Sequence, residues 1–389
     1  MAQARTVRIG VAGLGTAGRA FLPAIDKHTG FELVAVADPS DEARADVVGD
    51  GVAGYATLDE LLSHEGLDAV CIGTPTQLHP EHVAAATAAG KHVLVEKPMA
   101  LTLEQATAMI DGAASRNVVL MVGHSHSYDM PIRQMRAVID SGELGRVRMV
   151  HTWNYTDWVY RPRRPDELDA AQGGGVTFRQ GSHQFDIIRY LCGGLATRVR
   201  GRVFDWDPDR PVIGAHSVSV DFEDGATATA VYNGYGAFNA MELCFDITEW
   251  GFLEKPENRK PVRRPADATP EQELAAKRAR SRGAIPVTLP PHQPFFGLTL
   301  VSCERGDIRQ SPQGLFVYTA RGRRQIDFPT DVLPRDLVMN ELHDAITGKA
   351  RPVHDGRWGR ANLEVCLAAI ESSRTGLDVA LTRQIALND

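Results

Sequence analysis

Residues Gly10-Val-Ala-Gly13-Leu-Gly15-Thr16-Ala17-Gly18 follow directly on the run Val7-Arg8-Ile9, and some twenty residues later the chain reads Leu33-Val34-Ala35-Val36-Ala37-Asp38. Gly13, Gly15 and Gly18 form a G-x-G-x-x-G pattern between an apolar strand and a helix, and Asp38 closes the second apolar run at the spacing a dinucleotide site requires. Gly13 permits the tight turn out of the strand. Gly15 leaves room for a pyrophosphate beside the backbone, and Gly18 lets the helix pack close to the sheet. Thr16 and Ala17 open that helix, whose free N–H groups face the phosphates. A carboxylate at Asp38 accepts both ribose hydroxyls of NAD and repels a 2′-phosphate. Pro39 and Ser40 follow it with no adjacent arginine, so NAD is expected over NADP.

A length of 389 residues points to two domains. The hydrophobic share of 43% and charged share of 23% are those of an ordinary globular chain. A net charge of −7 gives no general attraction to nucleic acid or to a membrane surface. No apolar run approaches a membrane span. Met1-Ala-Gln-Ala-Arg5 leads straight into the first strand, so no signal peptide is expected. Cys71, Cys192, Cys244, Cys303 and Cys366 are scattered without a C-x-x-C pair and read as reduced thiols of a cytoplasmic protein.

Up to about residue 125, short apolar runs (6–11, 32–37, 68–72, 92–95, 118–122) alternate with helical stretches (17–28, 41–48, 57–64, 79–89, 102–115). That alternation predicts a doubly wound parallel sheet with right-handed crossovers. After about 146 the period becomes two, over 146–155, 197–206, 215–222, 226–233, 240–248, 298–304 and 314–319. Glu223-Asp224-Gly225 reads as a hairpin turn, and one helix, about 182–191, interrupts the strands. The expectation is an α/β chain: residues 1–125 bind the dinucleotide, and residues 126–389 form an α+β domain on a large, mainly antiparallel open sheet. The sheet's open face would be covered by a second subunit. Residues 250–294 are polar and Pro-rich, with a short helix near 270–282. They read as a contact arm, a lid or a solvated loop. Helical residues 335–376 return to the body.

Four groups of residues are candidates for chemistry. Val93-Leu-Val95-Glu96-Lys97-Pro98 places Lys97 at the end of a parallel strand, where ligands bind. A lysine beside a cationic nicotinamide has a lowered pKa and suits a general base. Thr74-Pro75-Thr-Gln-Leu-His79 follows the preceding strand and lies along the cofactor, with His79 at a helix start. His124 and His126 stand at another strand end; no third ligand is suitably spaced, and no metal is expected. Trp153-Asn-Tyr155-Thr-Asp-Trp158 runs into Tyr160-Arg161-Pro-Arg163-Arg164-Pro165, a mixture that suits a flat, carboxylated ligand or, equally, a structural loop.

The glycine fingerprint, Gly73-Thr74-Pro75-x-x-x-His79, Glu96-Lys97-Pro98, and Gly181-Ser182-His183-Gln-x-Asp186 with Arg189-Tyr-Leu-x-Gly193 occur in that order. Together they resemble the glucose–fructose oxidoreductase/inositol dehydrogenase family over nearly the whole chain. The resemblance implies a Rossmann domain followed by an open-sheet domain, NAD(P)-dependent oxidation of a secondary alcohol, and a homodimer or homotetramer. By position Lys97 matches the family's catalytic lysine and His183 its catalytic histidine, with Asp186 one helical turn on. Where inositol- and sugar-oxidising members usually carry an Asp, this chain has Arg179. A guanidinium there pairs with a carboxylate and favours an anionic substrate over a neutral polyol.

Tyr160-Arg-Pro-Arg-Arg-Pro-Asp-Glu-Leu, Gly173-Gly-Gly175-Val, Val301-Ser-Cys-Glu-Arg305 and His354-Asp-Gly-Arg-Trp358 are similar to stretches of phthalate 4,5-cis-dihydrodiol dehydrogenases. That likeness implies oxidation of a dicarboxylated cis-dihydrodiol, with Arg179, Arg161, Arg163, Arg164, Trp158, Tyr160, His124 and Asp186 around the substrate. Two alternatives stay open. One is a sugar, inositol or glycoside dehydrogenase in which Arg179 forms a structural ion pair. The other is a cofactor-binding protein that has lost catalysis.

Overall fold

The computed structural model describes residues 6–49, 51–259, 268–282 and 288–387, which divide into two compact units. The first holds the chain through His124 together with Arg335–Leu363 and a short piece beginning at Arg278; the second holds the remainder. The expected division at residue 125 falls beside this one, but residues 335–363, expected in the second domain, group with the first.

The first unit is built on β1 Val7–Ala12, β2 Phe31–Ala37, β3 Ala53–Tyr55, β4 Ala69–Ile72, β5 His92–Glu96 and β6 Leu120–Gly123. These strands lie in the order 3-2-1-4-5-6, every neighbouring pair parallel. β4 and β6 are buried along their whole length, as strands covered on both faces must be. The order reverses between β1 and β4. Ligands bind in the crevice outside the carboxyl ends at such a point, and Gly13, Thr74, Lys97 and His124 all follow strand ends on this edge.

The helices of this unit are α1 Thr16–Arg19, α2 Leu22–Lys27, α3 Asp41–Ala45, α4 Leu58–Leu62, α5 His79–Ala88 and α6 Leu103–Ser115. The single helix expected over 17–28 is broken into α1 and α2. Pro23 stands in the first turn of α2, where its ring and missing N–H prevent a continuous helix. Thr102 and Gln105 cap α6 reciprocally. The glycine turn is a contact between backbones. A Cβ on Gly18 would lie 1.9 Å from the Gly13 carbonyl oxygen, and one on Gly13 (φ +87°) 2.8 Å from Gly73. A Cβ on Gly15 would meet nothing within 4 Å.

The second unit carries β7 Val147–Tyr155, β8 Ala196–Phe204, β9 Ala215–Phe222, β10 Thr227–Asn233, β11 Leu298–Cys303, β12 Gly306–Ser311, β13 Gly314–Thr319, β14 Gly322–Asp327 and β15 Val379–Ala380. They form one sheet in the order 14-13-12-11-7-10-9-8-15. Only β7 and β10 pair in parallel; the other neighbours are antiparallel. The expected hairpin at Glu223–Gly225 joins β9 and β10.

Helices α7 Met130–Asp140, α8 Pro165–Leu168, α9 Val176–Arg179, α10 Gly181–Cys192 and α11 Pro270–Arg282 follow in chain order, then α12 Pro334–Ile346 and α13 Gly356–Thr375. The residues of α13 to Leu363 count with the first unit and the rest with the second. Every residue of α10 is buried, Asp186 and Arg189 included.

Several expectations for this half change. No strand forms over 240–248. Asn239 caps a 3₁₀ turn at Ala240–Leu243, and Phe245 and Asp246 take positive φ, which ends extended structure. The stretch 335–376 is two helices, separated around Gly348 and Pro352. The helix near 270–282 is present, but residues 260–267 and 283–287 of the polar stretch lie outside the described residues. α7 and strands β12, β14 and β15 were not anticipated.

A buried polar chain fastens α10 to the sheet. The Gln184 amide donates to the carbonyls of Thr152 on β7 (3.3 Å) and Val231 on β10 (3.1 Å). Its oxygen faces His216 Nε2 at 3.0 Å, while Nδ1 faces the Thr177 hydroxyl at 3.2 Å. These partners assign a neutral ring that donates through Nε2 and accepts at Nδ1. Burial pulls His216 down to about 3.

Two outcomes follow from this packing. Gly18→Ala costs about 3 kcal/mol or more, because neither backbone can retreat, whereas Gly15→Ala costs no more than about 1 kcal/mol as a changed helix cap; equal melting temperatures for the two variants would refute the close-approach account. The second concerns acid. His216 binds a proton more readily unfolded than folded, so stability is lost as pH falls below about 6.5, at up to about 1.4 kcal/mol per unit towards its folded value. Denaturant titrations from pH 7 to 4 on the wild type and His216→Gln read the difference, and parallel curves would remove His216 from the acid sensitivity.

Candidate functional site

In the first unit the cofactor candidates gather at the carboxyl ends of β1, β2, β4 and β5. Gly15 and Thr16 are exposed, and Ala17 is half-buried at the start of α1. The open space beside Gly15 contrasts with the filled contacts at Gly13 and Gly18. A dinucleotide phosphate therefore fits where the structure leaves the backbone uncovered. With only four residues in α1, the N–H groups of the turn offer a phosphate more than a long helix dipole would. Asp38 is tied in place: Oδ2 accepts from Leu14 N (2.7 Å) and Oδ1 from Ser40 N (2.9 Å). Each oxygen keeps capacity for a further donor such as a ribose hydroxyl. No arginine adjoins Asp38 in sequence, but Arg44 folds back from α3 and donates to the Asp38 main-chain carbonyl. Its guanidinium also pairs with Asp41.

Lys97 is half-buried at the end of β5, and its peptide bond to Pro98 is cis. Its N–H donates to the Glu96 carboxylate (3.2 Å), which is 7% exposed. The Thr74 hydroxyl faces His82 Nδ1 at 2.9 Å, and Pro75 opens the turn into α5. His79, expected beside the cofactor, is buried, with its ring nitrogens 3.0 Å from the Pro98 carbonyl oxygen and 2.9 Å from that of Thr74. His124 is buried at the end of β6, its ring 6.2 Å from that of His354. The segment His354-Asp-Gly-Arg-Trp358 serves structure. His354 O accepts from Val122 N, Asp355 bridges to Met121, and the Asp355 carboxylate accepts from Trp358 N at the start of α13.

In the second unit His183 lies one turn into α10, 5% exposed. His126 packs against it with ring centres 4.5 Å apart, edge to face. His126 stacks on Phe296 at 4.1 Å, and its Nδ1 is 3.1 Å from Asp129 Oδ2. Sequence reading singled out His126 but missed Asp129 and Phe296. A carboxylate three residues after a histidine was the available signal for Asp129; nothing local marked Phe296.

The arginine segment folds into a buried ion-pair cluster. Arg164 grips Asp166 with two bonds of 2.8 Å. Arg179 reaches the same carboxylate at 3.3 Å and donates to Gly173 O at 3.0 Å. Arg163 lies 3.9 Å above the Trp158 ring and 3.6 Å from Glu167. Lys277, from α11, pairs with Glu167, while Glu273, also from α11, takes Arg210 and the Arg163 N–H. Burial pulls Lys277 down to about 8 with Arg163 and Arg164 adding to the shift, and burial likewise lowers Arg179.

Other candidates are engaged elsewhere. Arg161 pairs with Asp157 at 2.6 Å, and the Tyr160 hydroxyl donates to Asp207 at 2.7 Å. Trp158, expected to line the substrate, is a 1% exposed core side chain, and Asp186 is fully buried. Lys97 and His183 belong to different units. Cys71, Cys192, Cys244 and Cys303 are free thiols, and burial raises each of them. Among the described residues no helix is long and apolar enough to cross a membrane.

Residues 7–124 match the family model described as "Oxidoreductase family, NAD-binding Rossmann fold", and residues 132–248 match the GFO/IDH/MocA C-terminal domain. The chain is 37% identical over 382 residues to 1-carboxy-3-chloro-3,4-dihydroxycyclohexa-1,5-diene dehydrogenase of Comamonas testosteroni, covering 95% of this chain and 96% of that one. A solved structure described as a dehydrogenase from Bordetella bronchiseptica RB50 superposes with a TM-score of 0.90 at 39% identity, covering 96% of this chain and all of that one. Levoglucosan dehydrogenase in complex with NADH and levoglucosan has the same fold, with a TM-score of 0.75 at 18% identity over 97% of this chain and 100% of that one. With a glycine turn that leaves one face of its backbone open and a full-length match to a dehydrogenase, the chain belongs to the GFO/IDH/MocA family of oxidoreductases, with an NAD-binding Rossmann domain.

Proposed function

We propose that the protein oxidises a carboxylated cis-dihydrodiol to the corresponding catechol, with NAD as hydride acceptor, as in the conversion of phthalate 4,5-cis-dihydrodiol to 4,5-dihydroxyphthalate. The observation that carries this reading is the crowding of cations around Arg179. Arg163, Arg164, Arg179 and Lys277 gather on two carboxylates, Asp166 and Glu167, and burial holds Arg179 and Lys277 below their ordinary values. Such a cluster favours an incoming carboxylate over a neutral hydroxyl. The full-length relative from Comamonas testosteroni, named for a carboxylated diene diol, supports the same class.

Asp38 holds the adenosine ribose, and the N–H groups around Gly15 and Thr16 hold the pyrophosphate. The nicotinamide supplies one thing when bound, acceptance of a hydride. Lys97 takes the proton from the hydroxyl on the carbon that loses that hydride. His183 holds the substrate hydroxyls, with His126 and Phe296 fixing its ring. The resulting ketone tautomerises to the aromatic catechol, which makes the reaction strongly favourable. Arg44 near Asp38 is engaged with Asp41 and the main chain, so NAD remains preferred to NADP.

One observation favours a second reading. Arg179 already has a carboxylate partner in Asp166, as a neutral-polyol dehydrogenase with a structural ion pair requires.

Cofactor reduction followed by absorbance decides between them. The substrate panel holds the phthalate cis-dihydrodiol, an uncarboxylated cis-dihydrodiol, myo-inositol, glucose and an aryl glycoside, each with NAD and NADP. Turnover confined to carboxylated diols is expected, and saturation by myo-inositol or glucose instead overturns the anionic reading. Lys97→Ala lowers the rate by about 10²–10⁴-fold with NADH binding retained, and Arg179→Met weakens binding of the anionic substrate by about 2–5 kcal/mol. Near-normal rates in the first, or unchanged affinity in the second, remove that residue from its role.

The outer face of the second unit's sheet supports a homodimer or homotetramer, because Met149 and Trp153 on β7 stand 42% and 44% exposed. Sedimentation velocity should show an oligomer that Trp153→Arg dissociates; an unchanged sedimentation coefficient would place any interface elsewhere.

A further inference from the structure

His79 opens α5, yet its side chain turns inwards, is 1% exposed, and joins two turns of the first unit. One ring nitrogen lies 2.9 Å from the carbonyl of Thr74, in the turn after β4, and the other 3.0 Å from the carbonyl of Pro98, in the turn after β5. Carbonyl oxygens only accept, so the ring reaches these turns through its N–H, and a ring N–H is the group that ties it to them. The titratable groups on the same turns are Glu81 and His82 of α5, Glu96 at the end of β5 and Lys97 just after it. Of these, His82 is bonded to the Thr74 hydroxyl and pulled down by burial, and Glu96 is a buried carboxylate.

We propose that His79 is a positioning residue for Lys97, acting through the Pro98 carbonyl and bracing it against the Thr74 turn. The proposal rests on the reading of Lys97 as the proton acceptor. Lys97 is held on its N-terminal side by its N–H bond to Glu96. Its C-terminal neighbour Pro98 has no N–H to offer, so the Pro98 carbonyl is the main-chain handle on that side. A lysine side chain has large rotamer freedom, so the height of its ammonium depends on how firmly this backbone is held. A displacement of about 1 Å at a reacting group costs about 10²-fold in rate.

The test uses His79→Phe, which keeps a ring and removes both ring nitrogens, and His79→Gln, which restores an N–H donor. Each is made in the full-length protein and in a Lys97→Ala background. Lys97 exposure is read independently of turnover, by trinitrobenzenesulfonate labelling and peptide mass spectrometry, with exposed Lys27 and Lys349 as internal references. In His79→Phe, kcat on the carboxylated cis-dihydrodiol should fall about 10- to 100-fold. NADH affinity should stay within about threefold, the labelling rate of Lys97 should change relative to the references, and His79→Gln should recover part of both. In the Lys97→Ala background the same substitution should lower the residual rate by less than about twofold. An equal loss in both backgrounds, or an unaltered Lys97 labelling rate, overturns the proposal. If Lys97→Ala turns over normally, or no diol is oxidised, the functional reading fails, and the labelling rates still decide whether His79 positions Lys97. Should His79→Phe not fold, His79→Gln alone carries the labelling comparison.

Discussion

No side chain fits between the glycine turn after β1 and the turn after β4. A Cβ on Gly18 would press into the Gly13 carbonyl, and one on Gly73 would stand 2.8 Å from Gly18 N. Three stretches of main chain therefore touch, and the first unit depends on that contact. It brings α1 down onto the sheet at the point where strand order reverses. The ends of β1, β2, β4, β5 and β6 then share one edge. Asp38 and Lys97 lie on that edge because their strands do. The hydrogen bonds around them refine the placement, from Leu14 to Asp38 and from Lys97 to Glu96.

The second unit is organised by polarity inside a core. α10 is buried on all sides, so its polar side chains need partners within the protein. Gln184 reaches two carbonyls of the central parallel pair, and His216 completes the chain to Thr177. The ion pairs of α8, α9 and α11 form a second such network. Buried pairs of this kind contribute little net stability, because desolvation offsets their attraction. Here they fix how the arginine segment lies, and α11, polar along its length, is held to it by Glu273 and Lys277.

The legible parts of the fold were those with a buried face or a steric demand. β9 and β10 alternate because one side is in the core, and Asp224-Gly225 marks their turn. β12 (Gly306–Ser311) and β14 (Gly322–Asp327) escaped notice because polar side chains crowd them, and β14 is an edge strand that charge protects from pairing. α7 has apolar residues at helical spacing and a proline in its first turn, signals that were present but not used. Trp158 suggested a ligand platform from its aromatic neighbours, yet it is core, with Arg163 stacked above it.

From the sequence alone came the strand–helix alternation of the first unit, the dinucleotide turn, the strand-end position of Lys97 and the placing of His183 on a helix. Each rests on interactions within a few residues, or on periodicity along one element. The tertiary structure alone decided which charges meet. Lys277 pairs with Glu167 across 110 positions, and Arg179 shares Asp166 with Arg164. It also turned His79 inwards onto two carbonyls. A charged or polar side chain takes its partner from whatever the fold brings within about 3 Å, and local sequence carries no record of that neighbour.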